Sequence, residues 1–213
     1  MSYFIELKRA GYTAVVTIAS PTGYGQVAVS WFCNVAQLDC YIFMNKVRPT
    51  TEVTDIAAQL GANIMEIGEP NEKIKGSVLR DAAFEYSQGI PTAMFLNLGL
   101  DDPIYIQYLA AAIQQAAQDL DPKEIWIVAG SGVIARALSM AFPDAHLNIV
   151  VLGKYIYPEV LENVNHTLYR APENFDEDAQ FQPPYASLPN FDAKLWRFVA
   201  EHGNTGDYIW NVK

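Results

Sequence analysis

Apolar positions recur along the chain with two periods, one typical of buried strands and the other of amphipathic helices. Short apolar, β-rich runs predict strands at 14–19, 40–44, 63–67, 92–98, 124–129, 147–152 and 208–212. Helical spacing predicts helices at 2–10, from about 26 onward, and at 50–60, 72–87, 104–119, 133–142 and 191–202. Strands that alternate with helices in this way predict right-handed βαβ crossovers and parallel sheets.

The pattern predicts an α/β protein of two lobes, each with a parallel sheet flanked by helices. We expect a smaller lobe over residues 1–100 and a larger one over 101–213. Thr50 or Thr51 is a candidate N-cap for the helix 50–60. The acidic pair Asp101-Asp102 is expected to cap the start of the helix 104–119, where negative charge is favourable to the helix dipole. The sequence also predicts core positions for the four tryptophans, Trp31, Trp126, Trp196 and Trp210.

Composition excludes two broad classes of protein. Of 213 residues, 51% are hydrophobic and 18% are charged, which excludes intrinsic disorder. With 24 acidic and 14 basic side chains the net charge is -10, and no cluster of Lys and Arg is present. Because phosphate binding along a nucleic acid needs clustered basic residues, we expect no nucleic-acid partner.

The cysteines, the histidines and the N-terminus indicate a protein that has no metal site and no membrane-spanning segment. Cys33 and Cys40 lack the spacing of a metal knuckle and are predicted to be buried thiols in a reducing compartment. The three histidines are scattered, so we expect no metal site. No apolar run approaches the roughly 18 residues of a membrane span, and residues 1–6 are no signal peptide. We therefore expect a cytoplasmic protein.

Two glycine-containing loops follow predicted strands, where ligands of parallel α/β sheets bind. The first runs over Ser20, Pro21, Thr22, Gly23, Tyr24, Gly25 and Gln26. The second, Gly130-Ser131-Gly132, joins a strand directly to a helix, whose exposed N–H groups favour an anion such as phosphate. The other interpretation of the second loop is a tight βα turn without a ligand. Neither loop matches a P-loop or the dinucleotide fingerprint.

The order of three motifs resembles one family. The stretches are Ser-Pro-Thr-Gly-Tyr-Gly-Gln-Val-Ala at 20–28, Gly-Ala-Asn-Ile-Met-Glu-Ile at 61–67 and Ile-Trp-Ile-Val-Ala-Gly-Ser-Gly-Val at 125–133. Together they resemble the fold-type II pyridoxal phosphate enzymes, the tryptophan synthase β-like family, which includes threonine synthase, cysteine synthase and aminocyclopropane-carboxylate deaminase. The resemblance extends through 185–196 and 208–212 and so covers nearly the whole chain.

This resemblance implies a cofactor and roles for both loops. The cofactor would be pyridoxal 5'-phosphate, with its phosphate bound by backbone N–H groups at Gly130, Ser131, Gly132 and Val133. The substrate, an amino acid, would bind through its carboxylate to the first loop at Ser20, Pro21, Thr22, Gly25 and Gln26. Gly23 falls where the family has an asparagine beside the cofactor ring, with Tyr24 next to it. Tyr24 is equally well interpreted as a loop aromatic packed on a neighbour.

The Schiff-base lysine of the family has no evident counterpart. In the family it lies roughly 25 to 30 residues before the substrate loop. Here 19 residues precede Ser20, and Lys8 is the only lysine among them. We expect Lys8 to be a solvated helix lysine, and Lys154 and Lys194 to be surface charges. The sequence thus predicts a chain that is N-terminally shortened relative to the family and lacks the usual lysine segment. We expect a homo-oligomer or a second polypeptide that supplies the segment.

Three functional hypotheses remain open. The first is a pyridoxal phosphate-dependent lyase or deaminase-like protein acting on an amino acid. The second is a catalytically silent phosphate-ligand-binding or regulatory module on the same scaffold. A third is an unrelated nucleotide- or phosphosugar-binding transferase, although Asp101-Asp102 is followed by Pro103 and a helix rather than by the Thr-Gly loop of such enzymes.

Overall fold

Two four-stranded parallel sheets organise the residues that this computed structural model describes, 2–152 and 158–211. The chain divides into two units, Met1–Tyr105 and Ile106–Lys213, with one sheet in each. The division falls within a single helix, α5, which spans Pro103–Ala116. The prediction of an α/β protein with parallel, helix-flanked sheets is confirmed.

The first unit alternates helices and strands without interruption. Its elements are α1 (Ser2–Arg9), β1 (Ala14–Ile18), α2 (Gly25–Ala36), β2 (Asp39–Asn45), α3 (Glu52–Gln59), β3 (Ala62–Ile67), α4 (Gly76–Gln88) and β4 (Ala93–Leu96). The strand order is β3-β2-β1-β4, with every pair parallel. The first strand therefore lies inside the sheet, and all five of its residues are buried.

The central strands of this unit contribute apolar side chains to two hydrophobic cores, one on each face of the sheet. Successive side chains of a strand point to opposite faces of the sheet. Val15 and Ile42 accordingly pack in a cluster with Phe4 of α1, whereas the adjacent Val16 and Phe43 pack in a second cluster. Burial on both faces explains why these strands appear in the sequence as continuous apolar runs.

The second unit repeats this arrangement of strands. Its elements are β5 (Glu124–Ala129), α6 (Val133–Ala141), β6 (His146–Val151), a 3-10 helix (Pro158–Leu161), β7 (His166–Arg170), a 3-10 helix (Asp192–Leu195), α7 (Trp196–His202) and β8 (Tyr208–Trp210). The order β7-β6-β5-β8 again places the first strand inside and the last strand on its other side. Trp126 of β5 is buried, and its indole N–H donates to Asp207 at 2.9 Å, just before β8.

Several sequence predictions differ from the structure. No strand was predicted at β7, and the predicted helix 191–202 is a 3-10 helix followed by α7. The fourth helix begins at Gly76 rather than 72, and Asn71 before it has a left-handed φ of 64°. Trp31 is 42% exposed on α2, so its predicted core position is wrong, whereas that of Trp126 is confirmed.

Candidate functional site

Both glycine-containing loops lie where the strand order of their own sheet reverses. The chain leaves β1 toward β2 and β3 on one side, and β4 occupies the other side. In the same way β6 and β7 lie on one side of β5, with β8 on the other. At such a reversal the connections diverge above the carboxyl ends of the strands and leave a crevice for a ligand. The first loop follows β1 and the second follows β5.

The second loop turns sharply into α6 without a side-chain cap. Gly132 is the N-cap residue with φ 82° and ψ -3°, a left-handed conformation that a residue with a Cβ adopts only with strain. Its carbonyl accepts the first helical bond, from the amide of Arg136 at 3.0 Å. No side chain of the described residues caps this helix start. Its N–H groups and the positive end of the helix dipole are thus directed at the loop.

Gly130 has a different relation to the fold. Its φ lies outside the left-handed range, and a Cβ built there would meet only Phe175 and Phe191 among the described residues, each at 4.0 Å. That distance is an ordinary van der Waals contact. The chain itself therefore does not require glycine at this position. On its Cβ side Gly130 faces the rings of Phe175 and Phe191.

The first loop is held by hydrogen bonds from the helix that follows it. Gln26, in the first turn of α2, is fully buried, and its side-chain nitrogen donates to the carbonyls of Ser20 at 3.1 Å and Pro21 at 3.0 Å. The amide of Gly23 donates to the Ser20 carbonyl at 3.0 Å and closes the turn. Ser20 and Thr22 also join their hydroxyls at 3.2 Å.

Pro21 links this loop to a second helix start. Its carbonyl also accepts from the hydroxyls of Thr51 at 2.5 Å and Thr54 at 3.3 Å. Thr51 is the N-cap of α3, as predicted, with its hydroxyl accepting from the Thr54 amide at 3.2 Å. The role of these threonines in holding the loop was missed, because nothing in the sequence pairs Pro21 with residues about thirty positions later.

One acceptor and some open space remain in the first loop. The side-chain oxygen of Gln26 is buried and has no hydrogen-bond partner among the described residues. A Cβ at Gly25 would meet no atom within 4 Å, and the ring of Tyr24 is 46% exposed. The helix begins at Gly25 without a side-chain cap. This geometry can accept a donor group of a ligand and can favour a carboxylate near the helix start.

Of the lysines singled out in the sequence, one is exposed and one is buried. Lys8 is exposed, as predicted, and donates to the carbonyl of Gln37 at 2.7 Å. Lys194 is 1% exposed and donates to the carbonyl of Asn174 at 2.6 Å, so its predicted surface position is wrong. Burial lowers the pKa of Lys194, and the carboxylates around it oppose that shift. Lys154 lies outside the described residues.

The cysteines have no reactive character. Cys33 and Cys40 are free, buried thiols, as predicted. A hydrogen bond to Cys40, together with burial, raises the pKa of the Cys33 thiol. A thiol with a raised pKa is a poor nucleophile at neutral pH.

The described residues contain neither a metal-binding cluster nor a membrane-spanning helix. Within them, no three His, Cys, Asp or Glu side chains come together in a way that could hold a metal ion. Across the same stretches, every helix is too short or too polar to cross a bilayer.

Comparison with known proteins identifies the fold. No family model matches the sequence, and no curated protein matches it. An ACC deaminase homologue is similar in structure with a TM-score of 0.73 and 14% identity, over 97% of this chain and 75% of that one. The chain shares its fold. O-ureido-L-serine synthase, solved with O-ureido-L-serine bound, is similar with a TM-score of 0.66 and 9% identity, over 99% of this chain and 75% of the synthase.

A third structure belongs to the same group. Diaminopropionate ammonia lyase of Escherichia coli gives a TM-score of 0.60 and 17% identity, over 92% of this chain and 59% of the lyase. Across the three, this chain spans between 59% and 75% of the other protein's length. The predicted tryptophan synthase β-like fold, that of the fold-type II pyridoxal phosphate enzymes, is confirmed.

Proposed function

We propose that this chain is a pyridoxal phosphate-dependent lyase or deaminase-like protein that acts on an amino acid. The second loop would bind the cofactor phosphate through the backbone at Gly130, Ser131, Gly132 and Val133. The observation that carries the proposal is the uncapped start of α6, which Gly132 opens in a left-handed conformation directly after β5. An open, glycine-lined helix start is a favourable site for a phosphate group.

The first loop supports an amino-acid substrate in the same way. We assign the substrate carboxylate to Ser20, Pro21, Thr22, Gly25 and Gln26, with Gly23 and Tyr24 beside the cofactor ring. The buried oxygen of Gln26 is available for a donor such as an ammonium or hydroxyl group. Similar structures include a lyase of diaminopropionate and a synthase bound to an amino acid, O-ureido-L-serine. When bound, the cofactor would supply an electron sink for bonds broken at the amino acid's α-carbon.

A second candidate is a catalytically silent module that binds a phosphate-bearing ligand. The observation that favours it is the engagement of Lys8 and Lys194, two of the lysines singled out in the sequence, with main-chain carbonyls. A lysine that forms a covalent bond to the cofactor needs a neutral amine that is within reach. In this case binding would occur without a covalent adduct and without turnover.

Titration with pyridoxal phosphate tests both candidates. We expect saturable binding, followed by visible absorbance or fluorescence, that competes with inorganic phosphate and is weakened by Gly130→Ala. Borohydride treatment and peptide mapping then show whether a lysine of this chain is attached to the cofactor. A mapped lysine supports the enzyme. Binding with no adduct, both for this chain alone and in complex with any partner polypeptide, supports the silent module. A protein that binds neither pyridoxal phosphate nor inorganic phosphate contradicts both.

We also propose that the chain works in an assembly, either a homo-oligomer or a complex with a second polypeptide that supplies the lysine segment, because Lys8 and Lys194 are already bonded. An assembly is then required for activity. Its mass, measured by light scattering at micromolar concentration, should exceed that of one chain. A monomeric mass combined with an adduct on a lysine of the same chain would contradict this part of the proposal.

A further inference from the structure

A buried ammonium group lies on the segment that covers the candidate phosphate loop. Lys194, in the 3-10 helix Asp192–Leu195, is 1% exposed. Its Nζ donates to the main-chain carbonyls of Asn174 at 2.6 Å and Phe175 at 3.4 Å. Removing a charge from water is costly, so a buried ammonium must be held by dipoles or by opposite charges. Here main-chain carbonyls replace part of its hydration.

Opposite charges are also concentrated around this ammonium. Glu173, Asp176, Glu177 and Asp178 form an acidic segment, and all four interact electrostatically with Lys194. Glu173 is 6% exposed, and its carboxylate accepts from the Gln180 amide at 3.2 Å. The other three carboxylates are on exposed residues. The segment thus combines one buried and three exposed negative charges around the buried Lys194, and Arg197 adds a second cation 3.8 Å from Glu173.

The same lysine bonds to both residues whose rings lie on Gly130. Phe175 and Phe191 each lie 4.0 Å from a Cβ built at Gly130, and their ring centroids are 6.2 Å apart. The Lys194 side chain donates to the Phe175 carbonyl, and its backbone amide donates to the Phe191 carbonyl at 3.2 Å. Lys194 therefore connects the acidic segment, the phenylalanine pair and the candidate phosphate loop.

We propose that Lys194 is an internal cation that positions the phenylalanine pair against Gly130 and offsets the acidic segment, so that the adjacent loop can bind an anion. The inference rests on the proposed phosphate-binding role of that loop. Four carboxylates near an anion site would repel phosphate, and a fixed positive charge among them reduces this repulsion. Lys194 is thus a positioning residue, acting through Phe175 and Phe191.

Substitution of the charge provides the first test. Lys194→Met keeps most of the side-chain length and removes the charge, whereas Lys194→Arg keeps the charge. We expect Lys194→Met to weaken binding of inorganic phosphate and of pyridoxal phosphate by about tenfold, since one unit charge roughly 10 Å away has that effect at an effective dielectric constant of about 20. Lys194→Arg should lose less affinity for both ligands than Lys194→Met. Lys8→Met, the control, removes an exposed lysine and should change affinity by less than about twofold.

Chemical rescue separates the ammonium from general packing. Lys194→Ala leaves room for a small amine, so methylammonium chloride should restore phosphate affinity. Tetramethylammonium chloride at the same ionic strength should not, because it has no N–H donor for the two carbonyls. Hydrogen exchange at residues 130–133 and 173–178 should be faster in Lys194→Ala and should slow again with methylammonium.

Surface substitutions test the charge argument without the buried lysine. Asp176→Asn combined with Asp178→Asn changes only exposed residues, so the fold should be retained and phosphate should bind more tightly. Unchanged phosphate affinity in the double variant and in Lys194→Met would overturn the electrostatic part of the inference. Unchanged exchange in Lys194→Ala would overturn the positioning part. A wild-type protein that binds no phosphate would overturn the proposed function, and the exchange measurement would still decide the role of Lys194.

Discussion

Replacing Gly130 by alanine separates a glycine required by the fold from one that leaves room for a ligand. The added Cβ meets Phe175 and Phe191 at 4.0 Å, and the φ of Gly130 lies outside the left-handed range. We therefore expect no steric cost in the folded chain. Alanine also lowers the entropy of the unfolded chain, which is worth about 0.4–1 kcal/mol at a compatible position. The melting temperature should stay unchanged or rise by about 1–4 °C.

The same methyl group should be unfavourable for ligand binding. A phosphate held by backbone N–H groups approaches the main chain closely, so the methyl group would enter the space of the ligand. Overpacking by one methyl group costs about 1–3 kcal/mol. This predicts that the dissociation constant for pyridoxal phosphate or inorganic phosphate rises by about fivefold or more.

Gly132→Ala is the matched control for this substitution. Gly132 has φ 82°, so alanine there is expected to cost about 1–2 kcal/mol of folding free energy. Urea unfolding gives an unfolding free energy for each variant, and phosphate titration gives a dissociation constant for each. Gly130→Ala with wild-type affinity would refute the phosphate assignment. Gly130→Ala with a loss of stability as large as that of Gly132→Ala would refute the claim that the fold does not need glycine at 130.

Three further predictions concern the first unit. Arg48 and Glu66 pair at 2.5 Å, and this hydrogen bond lowers the pKa of Glu66. Arg48→Met should therefore slightly reduce the unfolding free energy at pH 7, a difference that disappears as the pH falls below that lowered pKa; a difference that persists in acid would show that charge is not its cause. Phe4→Ala removes a ring with 0% exposure and should cost about 3–5 kcal/mol in urea unfolding, and a cost under about 1 kcal/mol would contradict its core position. Gln26→Leu removes two donors to the loop carbonyls and should cost about 1–2 kcal/mol, with faster hydrogen exchange at Gly23; unchanged exchange would show that Gln26 does not hold the loop.

The central strands could be predicted from sequence because parallel sheets bury both of their faces. Residues such as Val15 and Val16 pack on opposite sides of the same sheet, so no polar residue interrupts the run. The edge strand β7 could not be predicted in this way. It has no fully buried residue, and its Leu168 is 50% exposed, so no apolar pattern marks it. The 3-10 helix around Lys194 likewise has no distinctive period.

Only part of the candidate site could be predicted from the sequence. The glycines of the second loop were recognisable because a sharp strand-to-helix turn needs a residue such as Gly132. The burial of Lys194 was not, because its partners are main-chain carbonyls, which any residue type provides. The one available signal was the unusual density of carboxylates at 173–178. Two cations contact this segment: Lys194, and Arg197, whose guanidinium lies 3.8 Å from the Glu173 carboxylate.

The two sheets give an independent reason to treat both loops as sites. Their strand orders, β3-β2-β1-β4 and β7-β6-β5-β8, follow one pattern, and each places its glycine-containing loop at the reversal. At Gly25 and Gly130 the chain itself leaves room for a Cβ, so internal packing does not account for glycine at either position. Gly132, in contrast, is explained by its backbone conformation alone. A glycine that neither packing nor backbone conformation requires, in a loop that follows the first strand of each sheet, is what loops shaped around a ligand would show.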